Sequence, residues 1–188
     1  MNLWLRLLWL LLTARWRPKL GMPDGVSRLR FRVWPHDLDP SLHMNNSRYL
    51  GIMDLGRLDI IIRSGLWRAA VSHGWIPMLT AALVRYRREL RLFTPYRLET
   101  RILAWDDVAV VMEQVFLFDG GTRDGQVAAR ALVKGGLYDR GQRQHVPIAR
   151  LMGEIGAQAE SPPHSAEIEA FLKADDTMRQ SGAVVERG

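Results

Sequence analysis

The chain has 188 residues, of which 47% are hydrophobic and 24% charged, the balance of a soluble globular domain with room for one core and short extensions. It contains no cysteine, which excludes disulfides, zinc–thiolate sites and a cysteine nucleophile and fits a reducing compartment. The net charge of +6 comes from one end: residues 1–35 hold seven basic side chains against the single acid Asp24, and the rest of the chain is balanced. That distribution argues against a nucleic-acid binder, which spreads basic groups and aromatic residues over its folded surface.

Leu3 to Leu12 is apolar except for Arg6. As a helix it is about 15 Å long, too short for a hydrocarbon core of about 30 Å. The charges mostly follow the apolar run, which is unlike a secretory signal. Arg6, Thr13 and Arg17 fall near one helical face, Leu and Trp cover the rest, and Arg15 and Lys19 flank it. Trp4, Trp9 and Trp16 beside basic groups suit a helix lying in a membrane interface. A helix packed on its own domain or on a partner subunit fits the same pattern.

Leu29, Phe31 and Val33 alternate with Arg28, Arg30 and Arg32, which predicts a half-exposed strand ended by Pro35. From Asn46 to about Ser64 the period becomes helical: Tyr49, Met53, Gly56 and Ile60 share a face, and Arg48, Arg57, Asp59 and Arg63 lie off it. Asn45 or Asn46 caps the start and Gly65 ends the helix. Gly51 and Gly56 are costly inside a helix and imply close packing against another backbone. A short helix is expected at Leu66–Ser72, then strands at Leu79–Leu92, Tyr96–Trp105, Val108–Phe118 and Gln126–Tyr138. Their short connections predict an antiparallel sheet. A short helix at Pro147–Ile155, punctuation at Ser161–Pro163 and a last amphipathic helix around Ile168, Phe171 and Leu172 complete the chain. The expected organisation is a basic, apolar segment over 1–25, a domain over 26–157 and a tail with a short helix over 158–188.

Between the first strand and the long helix lies Asp37-Leu-Asp39-Pro-Ser-Leu-His43-Met-Asn45-Asn46-Ser-Arg-Tyr49. A carboxylate just ahead of a helix N-terminus has a base or nucleophile on one side and free N–H groups on the other, which suits attack on a carbonyl. A capped turn uses the same residues. No HExxH-type spacing supports a metal, Ser41 and Ser47 lack a nucleophile elbow, and no glycine-rich loop leads from strand to helix. No cofactor is expected.

The strand, the Asp-x-Asp pair, His43-Met-Asn-Asn-x-x-Tyr49, the long helix and the strand Val84-Arg-Tyr86-Arg-Arg-Glu-Leu90 together resemble the hotdog-fold acyl-CoA thioesterases of the 4-hydroxybenzoyl-CoA thioesterase type, over about residues 26–157. The basic, apolar N-terminus is similar to that of the thioesterase superfamily member 6 branch. The resemblance implies an α+β fold, an antiparallel sheet wrapped around a long central helix. It implies an acyl-CoA substrate and homodimers or dimers of dimers with sites at the subunit interface. It makes Asp39 the catalytic base or nucleophile, and the Asn46 backbone N–H the group that polarises the thioester carbonyl. His43 positions Asp39, binds substrate or is structural. Tyr49, Asp54 and Arg57 match the family's helix residues, and Tyr86 and Arg88 are further substrate-binding candidates. Arg85, Arg87, Arg91 and Lys134 join Arg88 as possible partners of the coenzyme A phosphates. Asp37 is read as support for the loop. Leu42 stands where many relatives carry glycine, and a side chain there is expected to narrow the site or shift the loop. The apolar helix face and a Trp-rich sheet are expected to line an acyl tunnel. The competing reading is a non-catalytic acyl-CoA or lipid-binding hotdog protein. The expected setting is cytoplasmic, peripheral to the inner face of a membrane through residues 1–20.

Overall fold

A computed structural model describes residues 3–14, 16–157 and 160–185. Arg15, expected as a basic flank, and the expected boundary at residue 158 lie outside these. The helices are α1 (Leu3–Ala14), α2 (Asn46–Ser64), α3 (Leu66–His73), α4 (Ile148–Ile155) and α5 (Ala166–Val185). The strands are β1 (Ser27–Arg32), β2 (Trp75–Tyr86), β3 (Pro95–Trp105), β4 (Val110–Phe118), β5 (Val127–Asp139) and the two-residue β6 (Gln144–His145).

All pairings are antiparallel, in the order β1-β3-β4-β5-β2, with β6 on β5. Register shifts at Leu79/Ala81, Ile102/Ala104 and Phe116/Leu117 bend the strands, and bulges of this kind raise local twist. The curled sheet takes α2 against one face. Tyr49, Ile52, Met53 and Leu55 of α2 pack with Leu98, Phe116 and Phe118 in the main core, and Gly56 and Ile60 are buried as the helical spacing predicts. Gly56 lets the helix approach: a Cβ there would lie 2.3 Å from Thr100 Oγ1. Gly51 faces a side chain instead, the Leu3 methyl of α1, rather than another backbone.

Both faces of β4 are covered, which is why apolar residues stand at both parities of its sequence, with Glu113 and Gln114 the polar exceptions. Against the opposite sheet face, Ile168 and Phe171 of α5 pack on Ala104, Val111 and Leu132. At 20 residues α5 is much longer than the short tail helix expected. Lys134, proposed from sequence as a phosphate partner, is instead held by Asp175 of α5 at 3.2 Å. The expected strand Leu79–Leu92 starts earlier, at Trp75, and leaves the ladder after Tyr86, where the Arg87 and Arg88 N–H groups both donate to the Ala128 carbonyl.

α1 lies along the outer side of α2, with Leu3 near Gly51 and Arg17 near Asp59. The helical period sets Asp59 off the face of Tyr49, Met53, Gly56 and Ile60. Asp59 is fully buried, held by β1, by its own helix and by the segment after α1: Ser27 Oγ donates to it at 2.6 Å, Arg63 Nη1 at 3.0 Å and Arg17 Nη1 at 3.3 Å.

Candidate functional site

The segment between β1 and α2 is shaped by its own backbone. Pro35–Asp37 forms a 3₁₀ turn, and the carboxylate of Asp37 accepts the Trp34 N–H at 3.0 Å. The Asp37 carbonyl accepts the Asn45 N–H at 2.8 Å, so Asp37 holds the two ends of the segment together, the supporting role expected of it. Residues 39–43 close a tight loop: Asp39 N–H donates to the His43 carbonyl and Leu42 N–H to the Asp39 carbonyl, both at 3.0 Å. The far side is pinned by Met44 N–H to the Leu90 carbonyl at 2.8 Å and by a bridge between His43 and Arg91.

Leu42 carries φ +61°, the left-handed region that favours glycine. This explains why glycine suits the position. The Leu42 side chain is 71% exposed, so it does not fill the interior of the loop.

Asp39 Oδ1 accepts the Ser41 N–H at 2.9 Å, and Oδ2 faces His43 Nδ1 at 3.4 Å. The loop then enters α2. Asn45 is the N-cap, its Oδ1 accepting the Ser47 N–H at 2.9 Å, and the Arg48 N–H reaches the Asn45 carbonyl at 2.9 Å. Among the described residues the Asn46 N–H meets no acceptor. It is an exposed donor at the positive end of a 19-residue helix.

Tyr49, one turn further on, is buried edge-on against Tyr86 (5.0 Å between centroids) and Phe116 (4.8 Å). Burial, with Tyr86 beside it, pushes the Tyr49 phenol well above its ordinary pKa. The Tyr86 hydroxyl donates to the Asn46 carbonyl at 3.3 Å. Asn46, Tyr49 and Tyr86 therefore form one cluster, with Asp39 and His43 on the loop that leads into it.

Asp54 and Arg57 form a second group. Eight and eleven residues beyond Asn46, they sit about 12 Å or more along the helix, where they pair with each other at the wall of an apolar cavity of about 290 Å³. Leu58 and Ile61 of α2, Met112 of β4, Leu137 of β5 and Leu151 of α4 supply much of the lining, so the expected tryptophans are not in it. Burial lowers the Arg57 pKa from its usual value, while Asp54 pulls the other way. Arg57 Nη1 also donates to Gln114 Oε1 at 2.6 Å. Sequence reasoning missed Gln114, although it shares the inward parity of Met112, Phe116 and Phe118 and was the one polar member of that set. Its amide donates to the Met53 carbonyl at 2.9 Å and to Thr100 Oγ1 at 3.0 Å. Arg88 stands apart from both groups, exposed and donating to the Val127 carbonyl at 3.1 Å. Among the described residues no group of three or more His, Asp or Glu could hold a metal ion.

A curled antiparallel sheet around one long helix, with a carboxylate-bearing loop feeding the helix N-terminus, defines the hotdog class. A family model described as the thioesterase-like superfamily matches residues 33–172. Protein THEM6 of Xenopus laevis is 36% identical over 152 residues, covering 79% of this chain and 68% of its own. The crystal structure of YbaW, a probable thioesterase from Escherichia coli, superposes with a TM-score of 0.62 at 21% identity, covering 68% of this chain and 95% of that one. A DHNA-CoA thioesterase from Staphylococcus aureus superposes with a TM-score of 0.61 at 13% identity, covering 81% and 94%. The chain belongs to the thioesterase-like superfamily, a family of thioester hydrolases, and is related to the THEM6 proteins.

Proposed function

We propose that this protein hydrolyses acyl-CoA thioesters to the free acid and coenzyme A. The observation that carries the reading is the unaccepted Asn46 N–H at the start of α2, with the Asp39 carboxylate on the loop that delivers the chain to it. The thioester carbonyl oxygen points at that N–H, which stabilises the negative charge developing there as water adds. Asp39 acts as base or nucleophile, and His43, 3.4 Å away, orients its carboxylate. The C–S bond breaks, coenzyme A leaves as thiolate and takes up a proton, and the carboxylic acid remains. Tyr49 and Tyr86 hold the helix start in place from below. The cavity beside Asp54 and Arg57 takes the apolar part of the acyl group, and the exposed Arg85, Arg87 and Arg88 offer charge to the coenzyme A phosphates, whereas Arg91 is paired with Glu89 at 3.0 Å.

The working unit we infer is a homodimer. β2 is an edge strand of 12 residues that exposes Ile76, Met78, Leu79, Leu83 and Tyr86, and an edge of that length and polarity needs a covering partner. Sedimentation of the purified chain tests this.

A thiol-release assay over short, medium-length and aromatic acyl-CoAs tests the activity. Asp39→Asn is expected to lower kcat by about 10²–10⁴-fold with the fold intact. Unchanged turnover removes Asp39 from its role. The second reading, acyl-CoA binding without hydrolysis, draws on Asp39 Oδ1 being already engaged by the Ser41 N–H. Saturable binding of acyl-CoA with no thiol release identifies it.

A further inference from the structure

The N-terminal helix is inside out. Its one charged side chain, Arg6, points inward and is buried, along with Leu10 and Ala14. Its outward half carries Trp4, Leu5, Leu8, Trp9 and Leu12, all more than half exposed, and Trp16 continues that line just past its end. At 3.6 residues per turn these positions fall on one side of the helix, and among the described residues of α1 no polar residue interrupts them. A patch of this kind on a protein surface marks a docking site.

We propose that this face docks the protein on an anionic lipid bilayer, with α1 lying flat in the headgroup layer. Three observations select that occupant. α1 is 12 residues long, and no helix among the described residues is long and apolar enough to cross a membrane. Its orientation is set by the protein: Leu3 is seated over Gly51 at one end and Arg17 is paired with Asp59 at the other. The helix therefore presents its Trp and Leu side chains broadside, the attitude of an interfacial helix. The cations lie at its C-terminal end. Lys19 and Arg68 line one groove with Leu11 and Trp67, both are exposed, and neither makes an ion pair among the described residues. Basic groups beside tryptophans match phosphate-bearing headgroups. A second copy meeting this face about a two-fold axis would bring the same patch, with its unpaired cations, onto itself. The proposal does not depend on the hydrolase reading.

The test uses the full chain with phosphatidylcholine vesicles, with and without about a third phosphatidylserine. Co-sedimentation, the tryptophan emission shift and quenching by brominated acyl chains are read together. The chain is expected to bind the anionic vesicles, less tightly as salt rises, with Trp4, Trp9 and Trp16 quenched. Trp9→Glu with Leu12→Glu is expected to reduce the bound fraction at least roughly tenfold. Lys19→Glu with Arg68→Glu is expected to do so only on anionic vesicles, also roughly tenfold. All four positions are exposed, so circular dichroism should match the parent chain. Absence of vesicle binding by the parent chain overturns the proposal, as does binding that Trp9→Glu with Leu12→Glu leaves unchanged. A drop in oligomer size in that variant, without lipid, also overturns it and gives the face to a second copy.

Discussion

Arg6 of α1 and Asp37 of the loop ahead of α2 form a buried ion pair, Nη2 to Oδ2 2.5 Å apart, with each side chain 2% exposed. Arg6 also donates to the Arg32 carbonyl at 3.1 Å, and its guanidinium lies 5.7 Å from the Phe31 ring centroid. Asp37 is two residues from Asp39, so the N-terminal helix and the candidate catalytic loop share one electrostatic anchor.

Removing one partner of such a pair leaves the other as a buried, uncompensated charge. Arg6→Ala is expected to destabilise the protein by about 3–5 kcal/mol, read as a shift in the urea midpoint. Arg6→Met combined with Asp37→Asn should recover part of that loss, because the amide still accepts the Trp34 N–H without a charge to bury. A loss in the double variant equal to the sum of the losses at Arg6 and Asp37 taken singly would mean that the two side chains act independently.

Leu42 tests the loop from the other side. A left-handed conformation costs an L-residue about 1–2 kcal/mol, and glycine avoids this while losing more backbone entropy on folding. With the side chain exposed, Leu42→Gly is expected to stabilise the protein by about 0.5–1 kcal/mol, and Leu42→Ala to give none of that gain. If both variants behave alike in urea, the side chain rather than the backbone sets the energy at this position.

The order of strands around one helix was legible because period-two and helical patterns survive in local sequence. Tyr49, Met53, Gly56 and Ile60 point inward as their spacing requires. The burial of Asp59 was not legible, because it involves Arg17, just past α1, and Ser27 of β1, partners 42 and 32 residues away that no local period reports. The N-terminal helix offered a polar stripe that both readings of it had to account for. Which way the stripe faced depended on Asp37, a residue that by itself reads as loop support. The loop's carboxylate and cap were visible in sequence. Free N–H groups at the helix start were expected too, and the resemblance assigned the role to Asn46; only the folded turn shows that its donor meets no acceptor among the described residues.

The two glycines inside α2 are expected to respond oppositely to alanine. At Gly56 a Cβ meets Thr100 Oγ1 at 2.3 Å, Leu98 Cδ2 at 2.9 Å and Gln114 Nε2 at 3.0 Å, and two of these groups belong to a hydrogen-bonded set. Overpacking there should cost about 1–3 kcal/mol. At Gly51 the nearest atom is a Leu3 methyl at 3.4 Å, an ordinary contact, so Gly51→Ala should gain up to about 1 kcal/mol of helix propensity. Thermal denaturation of the two variants decides, and a loss at Gly51 equal to that at Gly56 would mean that α1 is packed as rigidly on α2 as the sheet is.

Buried phenols set the alkaline limit of stability. Burial raises the Tyr49 pKa, with Tyr86 adding to it. It also raises that of Tyr96, where Arg6 pulls the other way and Asp37 and Tyr49 reinforce the rise. An unfolded tyrosine ionises near about pH 10. Above that pH the unfolded chain holds fewer protons than the folded one, so stability falls as pH rises. The contribution of the protonated phenols is thus complete below about pH 10 and is lost progressively above it. Ultraviolet absorbance should show Tyr49 and Tyr96 ionising only as circular dichroism reports unfolding. Among the described residues the Tyr96 hydroxyl has no hydrogen-bond partner, so Tyr96→Phe should be neutral or stabilising at neutral pH and should flatten the alkaline decline. Reversible titration of all four tyrosines near pH 10 in a still-folded protein would contradict this assignment.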